Sequence, residues 1–212
     1  MGFDTLKPNE IEKRSFEIIT EELGGRVLDP QLAPIIKRVI HTTADFDYAD
    51  HLAFSPDVVA HAKRALRSGA TVVTDTNMAL SGINKAMLEK LGGKAVCFMS
   101  DPAVAAEAKA RAVTRATVSM EHAAALEGSL IFAIGNAPTA LIRLHELIGS
   151  GAVSPALVIG VPVGFVNVVE SKELFIGGDT PYIIARGRKG GSNVAAAIVN
   201  ALLYQIVTRE GF

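Results

Sequence analysis

The sequence predicts a three-layer α/β domain with a mainly parallel five-stranded sheet and an N-terminal helical region. Two patterns carry that expectation. From residue 71 onward, short uninterrupted apolar runs recur, each followed by Gly, Pro, Asn or Asp, as strands covered by helices on both faces require. Helical segments alternate with those runs, and such alternation builds a parallel sheet joined by crossovers.

The first seventy residues read as helical throughout. Asn9 is placed to cap a helix over 10–23, with Glu12 as the returning half of a capping box and Ile11, Ser15, Ile18 and Ile19 on one side. Asp29-Pro30 opens a second helix that carries Leu32, Ile35, Ile36 and Val39 and ends near His41. Ser55-Pro56 opens a third, closed at Gly69. The strands follow as TVVTD (71–75), KAVCFM (94–99), SLIFAIG (129–135), PALVIGVP (155–162) and PYIIARG (181–187). Between and after them, helices are expected over 84–91, 103–126 with a break near Val113, 138–148, 168–175 and 192–208. The chain, 1–212, reads as one domain, without a linker, repeat or low-complexity segment.

At 212 residues and 49% hydrophobic content, the chain can bury one substantial core. A net charge of −1 gives no nucleic-acid or anionic-membrane signature. The opening MGFDTLKPNE lacks a secretory pattern, and no run approaches the roughly 18 apolar residues of a membrane span, so a soluble cytoplasmic protein is expected. The single cysteine, Cys97, excludes an internal disulfide and a multi-cysteine metal site, and reads as a buried small hydrophobe.

Ligands of open parallel sheets gather at the carboxyl ends of the strands. There this sequence places TDTNMALSGINK, MSDP, GNAPTAL, GVPVGFVNVVESK and RGRKGGSN. Asn136 and Asn167 can orient polar groups, and Arg186, Arg188 and Lys189 beside glycine amides suit carboxylates or phosphates, although each loop alone could be mere punctuation and the cations a solvated turn. Arg115, at the expected helix break, could add a carboxylate contact. GNAPTA is not GxGxxG and GRKGGS is not GxxxxGK[ST], which leaves a nucleotide-dependent reductase as a minor alternative. His51, His61, His122 and His145 show no HExxH spacing and read as surface or capping residues, with no metal site. His41 differs because a helix end can favour imidazolium and aim it at a ligand. Ser15 could equally bond back to its own helix.

The blocks KRSFEII, VIHTTADFDYADHLAFSPDVV, TDTNMALSGI, VTRA, AIGNAPTAL, GVPVGFVNVVESK and RGRKGGSNVAAA resemble, in order and over nearly the whole chain, the precorrin-8X methylmutase family of cobalamin biosynthesis. The resemblance implies a flavodoxin-like fold, a homodimer, and migration of a methyl group from C11 to C12 of a corrinoid, giving hydrogenobyrinate or its cobalt counterpart, cobyrinate. It implies no organic cofactor; any cobalt would arrive within the substrate. The family's catalytic histidine matches His41, its substrate-contacting serine Ser15, and its arginine Arg115. Asn136, Arg186, Arg188 and Lys189 are the further expected substrate contacts, with Met78, Phe165 and Val166 under the ring, although each of these three apolar residues reads individually as core. Asn167 and Val168 depart from the small residues common in the family. A corrinoid carrier without catalysis is the other alternative.

Overall fold

Five parallel strands and one antiparallel edge strand form the central sheet of the chain, whose computed structural model describes residues 8–208. The amino-terminal part holds α1 (Pro8–Leu23), α2 (Ala33–Thr43), α3 (Tyr48–His51), β1 (Leu52–Phe54) and α4 (Val58–Arg67). Then come β2 (Thr71–Thr74), α5 (Asn77–Gly82), α6 (Lys85–Lys90), β3 (Lys94–Val96), α7 (Pro102–Ala110) and α8 (Arg115–Ala124). The chain continues with β4 (Leu130–Ile134), α9 (Pro138–Gly149), β5 (Leu157–Gly160), α10 (Val168–Glu173), β6 (Tyr182–Ala185) and α11 (Ser192–Tyr204).

The strand order is β1-β6-β5-β4-β2-β3. Leaving β2, the chain first steps outward to β3 and then returns to β4 on the other side of β2. The gap between β2 and β4 is therefore the switch point, where loops diverge and a crevice opens. Side chains alternate across the sheet: Val72, Ile131, Ile159 and Ile183 pack under α4 and α11, whereas Val73, Phe132, Val158 and Ile184 pack under α8 and α9. Both faces are covered, which is why these strands read as unbroken apolar runs.

Several expectations are corrected. The sheet has six strands, not five, and the first seventy residues are not all helical, because Leu52–Phe54 pairs antiparallel with β6, Leu52 opposite Ala185. Three half-buried residues on an edge are too few to display a period of two. At the other end, α1 already includes Pro8 and Asn9, the expected capping box rests on the Asn9 side chain, which lies outside the described residues, and Glu12 bonds Arg38 of α2 at 2.6 Å. A turn over 30–32 delays α2 to Ala33. The break at 111–114 falls where Val113 placed it. Helix α5 lies in a segment read as a strand-end loop, and α11 ends at Tyr204, short of 208.

Helix α2 packs chiefly on α11, one layer beyond the sheet. Its early residues Ala33, Lys37 and Arg38 share a cleft with Ala201 and Tyr204 late in α11, while Asp45 and Asp47, just past its end, grip Lys189, just before α11. The two helices therefore run antiparallel. Because α11 starts at the carboxyl edge of the sheet, the end of α2, with His41, is carried toward that same edge.

Candidate active site

Three loops interlock at the carboxyl edge. The Gly191 amide donates to Val161 O at 2.8 Å and the Gly164 amide to Arg188 O at 3.2 Å, joining the loops after β5 and β6. A Cβ on Gly190 would collide with the carbonyls of Val161 and Pro162, and one on Gly135 would come within 2.6 Å of Ser192 Cα. These two glycines are needed for close backbone approach. Thr76, which caps α5, also meets Ser192 through their hydroxyls at 2.7 Å, tying the loop after β2 to the start of α11.

Asp75, at the switch point, is fully buried. Its carboxylate accepts the amides of Gly135, Asn136 and Ala137 at 2.8, 2.8 and 2.6 Å. Burial pushes its pKa above the usual carboxylate range, and the three N–H donors pull against that. These amides open helix α9, the position where a nucleotide phosphate would sit in such a crevice. A carboxylate built into the chain already fills that role, which removes the main support for a nucleotide-dependent enzyme. Sequence reading passed over Asp75; the available signal was a lone acid closing an apolar strand at the switch point.

Lys172, also unnoticed in the sequence, is fully buried on α10. Its ammonium donates to the carbonyls of Gly187 and Lys189, both at 2.8 Å, from beneath the basic loop. Burial lowers its pKa to about 8. The departure at Asn167 and Val168 is structurally simple: Asn167 takes the left-handed conformation (φ 57°) that asparagine tolerates, and Val168 is buried beneath it.

Three exposed apolar residues stand in the segments that follow the carboxyl ends of β2 and β5. Met78, Phe165 and Val166 are 71, 80 and 78% exposed, so none belongs to the core. Arg188 lies 5.4 Å from the Phe165 ring centroid, a contact worth about 0.5–1 kcal/mol at an exposed site. Arg186 is exposed, 3.9 Å from Glu173, and Arg115 is exposed at the start of α8, reaching Met99 O at 3.4 Å. The side chain of Asn136 is exposed. Lys189 is engaged differently: it bonds Asp45 at 2.6 Å and Asp47 at 2.7 Å, so its charge ties the basic loop to the turn after His41. Cys97 is half-buried just beyond edge strand β3, not enclosed in the core.

His41 stacks on Phe16 of α1, centroids 5.3 Å apart and planes 14° apart. Arg38, one turn earlier, lies over Phe16 at 4.7 Å and Tyr204 at 5.1 Å, pinning α1, α2 and α11 together. Partial burial, then the Arg38 charge, lowers the His41 pKa from its ordinary 6.5, with Glu12 opposing. The direction is opposite to the imidazolium that the helix end was expected to favour, and its causes are burial and Arg38. Ser15 donates to Ile11 O at 2.9 Å. Of the other histidines, His51 bonds Asp47 O, His122 bonds Glu107, His145 meets Phe175 edge-on and His61 lies exposed on α4. Among the described residues no group of three or more His, Cys, Asp or Glu could hold a metal ion, and no helix is long and apolar enough to cross a membrane.

A three-layer α/β fold with exposed apolar and cationic side chains in its strand-end loops belongs to the class that binds small molecules at that edge. Comparison with known proteins sharpens that class. The precorrin-8X methylmutase family pattern matches residues 10–205. The cobalt-precorrin-8 methylmutase of Salmonella typhimurium is 48% identical over 208 residues, covering 94% of this chain and 96% of that protein. Its counterpart from Priestia megaterium is 47% identical over 198 residues, covering 93% and 88%. The crystal structure of precorrin-8X methylmutase from Thermus thermophilus superposes with a TM-score of 0.84 at 39% identity, covering 92% and 94%. The chain belongs to the precorrin-8X methylmutase family and is an isomerase.

Proposed function

We propose that the enzyme converts cobalt-precorrin-8 to cobyrinate, with His41 as the proton-handling residue. The methylmutase reaction breaks the bond from C11 to the methyl group and makes the bond to C12 within one molecule, while the electrons rearrange through the conjugated ring. The protein's task is to hold the ring and assist that charge movement. His41 lends a proton or strong hydrogen bond as electron density shifts and then recovers it. Met78, Phe165 and Val166 support the ring face, Arg115, Arg186 and Arg188 meet its carboxylates, and Ser15 and Asn136 add polar contacts. Lys189 contributes by holding the loop. The cobalt-loaded form is favoured because the relatives at 47 and 48% identity are cobalt-precorrin-8 methylmutases, whereas the precorrin-8X methylmutase of Pseudomonas aeruginosa is 40% identical.

The exposed Met78, Phe165 and Val166, with Arg188 over the Phe165 ring, carry this reading. Incubating the protein with the cobalt-loaded and metal-free precursors, and following product colour, tests it. Faster turnover of the cobalt form is expected. Replacing His41 by Ala should cut turnover about 10²–10⁴-fold while ring binding persists. Near-normal turnover by that variant would remove the catalytic role, and binding without conversion by the parent protein would make it a carrier.

A further inference from the structure

The family resemblance assigns no role to Lys172, and its setting is unusual. A lysine rarely sits fully buried, because removing an ammonium from water costs several kcal/mol unless partners replace the lost hydration. Here the partners are two carbonyls of a single loop, Gly187 and Lys189, whose intervening residue, Arg188, points its guanidinium at Phe165. We propose that Lys172 is a positioning residue for the substrate: a buried cation that fixes the loop 186–191 and adds its charge beneath Arg186 and Arg188, so that the acidic ligand is held by an internal as well as a surface charge. The proposal rests on the reading of this loop as the carboxylate-binding edge.

The surroundings support a charge acting upward. Glu173, next to it on α10, faces Arg186 at 3.9 Å, and Lys189 above it is neutralised by Asp45 and Asp47. On α9, which packs against α10, Arg143 and Glu146 pair with each other, Arg143 also pairs with Glu121, and His145 meets Phe175. Above pH 8 the neutral amine still has two N–H donors for its two carbonyls, so deprotonation removes charge more than it removes architecture.

The two roles have opposite pH signatures. An unfolded lysine keeps its proton to about 10.5, while the folded one releases it near 8. Between those values the unfolded state binds more protons, and the stability contributed by this group rises with pH. Ligand affinity should fall over the same interval. Titrating cobyrinate into the wild-type protein from pH 7 to 9.5 should show about a tenfold rise in Kd that sets in near pH 8 and levels off about one unit higher. Lys172→Met should bind weakly already at pH 7 and lack that step; Lys172→Arg, charged throughout, should bind tightly and also lack it. Thermal melts of the wild type over the same range should show stability rising. A Kd for wild type that is flat through pH 8, or a step that persists in a folded Lys172→Met protein, would overturn the role of Lys172 and leave the methylmutase reading standing. Failure of wild type to bind cobyrinate at any pH would overturn both.

Discussion

His41 was legible because a helix-spaced apolar run stops beside it, but its electrostatics were not. Phe16 and Tyr204 lie 25 residues before it and 163 after it in the chain, and only folding brings them around Arg38. The consequence can be measured. With its pKa lowered, His41 is largely neutral in the free enzyme near pH 7, and a proton-donating role needs the minor, charged form. The profile of kcat/KM should therefore fall as pH rises through a value below 6.5. Substrate carboxylates should raise the same group in the complex, moving the limb of kcat to higher pH. A kcat/KM that climbs through this range would identify neutral imidazole as the working form. Asp75 and Lys172 were illegible for a related reason: each acts on backbone atoms of a distant segment, 60 or more residues away for Asp75, and backbone partners leave no mark in residue type.

Among the elements, β2, β4, β5 and β6 were readable because they are buried throughout, and the short edge strand β3 because it runs on into the apolar residues Cys97, Phe98 and Met99, whereas β1 was not, its three half-buried residues owing their strand geometry to β6. The loop after β4 shows how an element can depend on a neighbour. Three of its amides are satisfied by Asp75 alone, and their order carries Asn136 and the start of α9. Replacing Asp75 by Asn keeps the shape but points an NH2 group at N–H donors. The expected result is a loss of about 2–4 kcal/mol of unfolding free energy in denaturant titrations, together with a raised KM from a displaced loop. Unchanged stability would mean that the loop holds itself.

Across the whole molecule, the residues matched to the family divide between the two faces of the sheet, Ser15 and His41 on one and Arg115 on the other. His41 stands on the outer helix pair covering one face of the sheet, and Arg115 opens α8, which packs on the other face, where Ala116, Met120 and Ala123 join Phe132 and Ile134. A second copy offers a way to bring the two around one ring, and a symmetric homodimer with composite sites is the assembly we propose. In that arrangement each site takes His41 from one subunit and Arg115 from the other. A heterodimer of a His41→Ala subunit with an Arg115→Ala subunit would then contain one doubly damaged site and one intact site. Mixing the two inactive variants under conditions of subunit exchange should restore up to about half the activity of the parent per heterodimer, by counting sites in a two-fold assembly. Neither variant alone should show it. Activity that stays at the level of the separate variants, with heterodimer formation verified by mass, would place both residues in the same subunit's site; a fully active monomer in sedimentation at assay concentration would dismiss the shared site altogether.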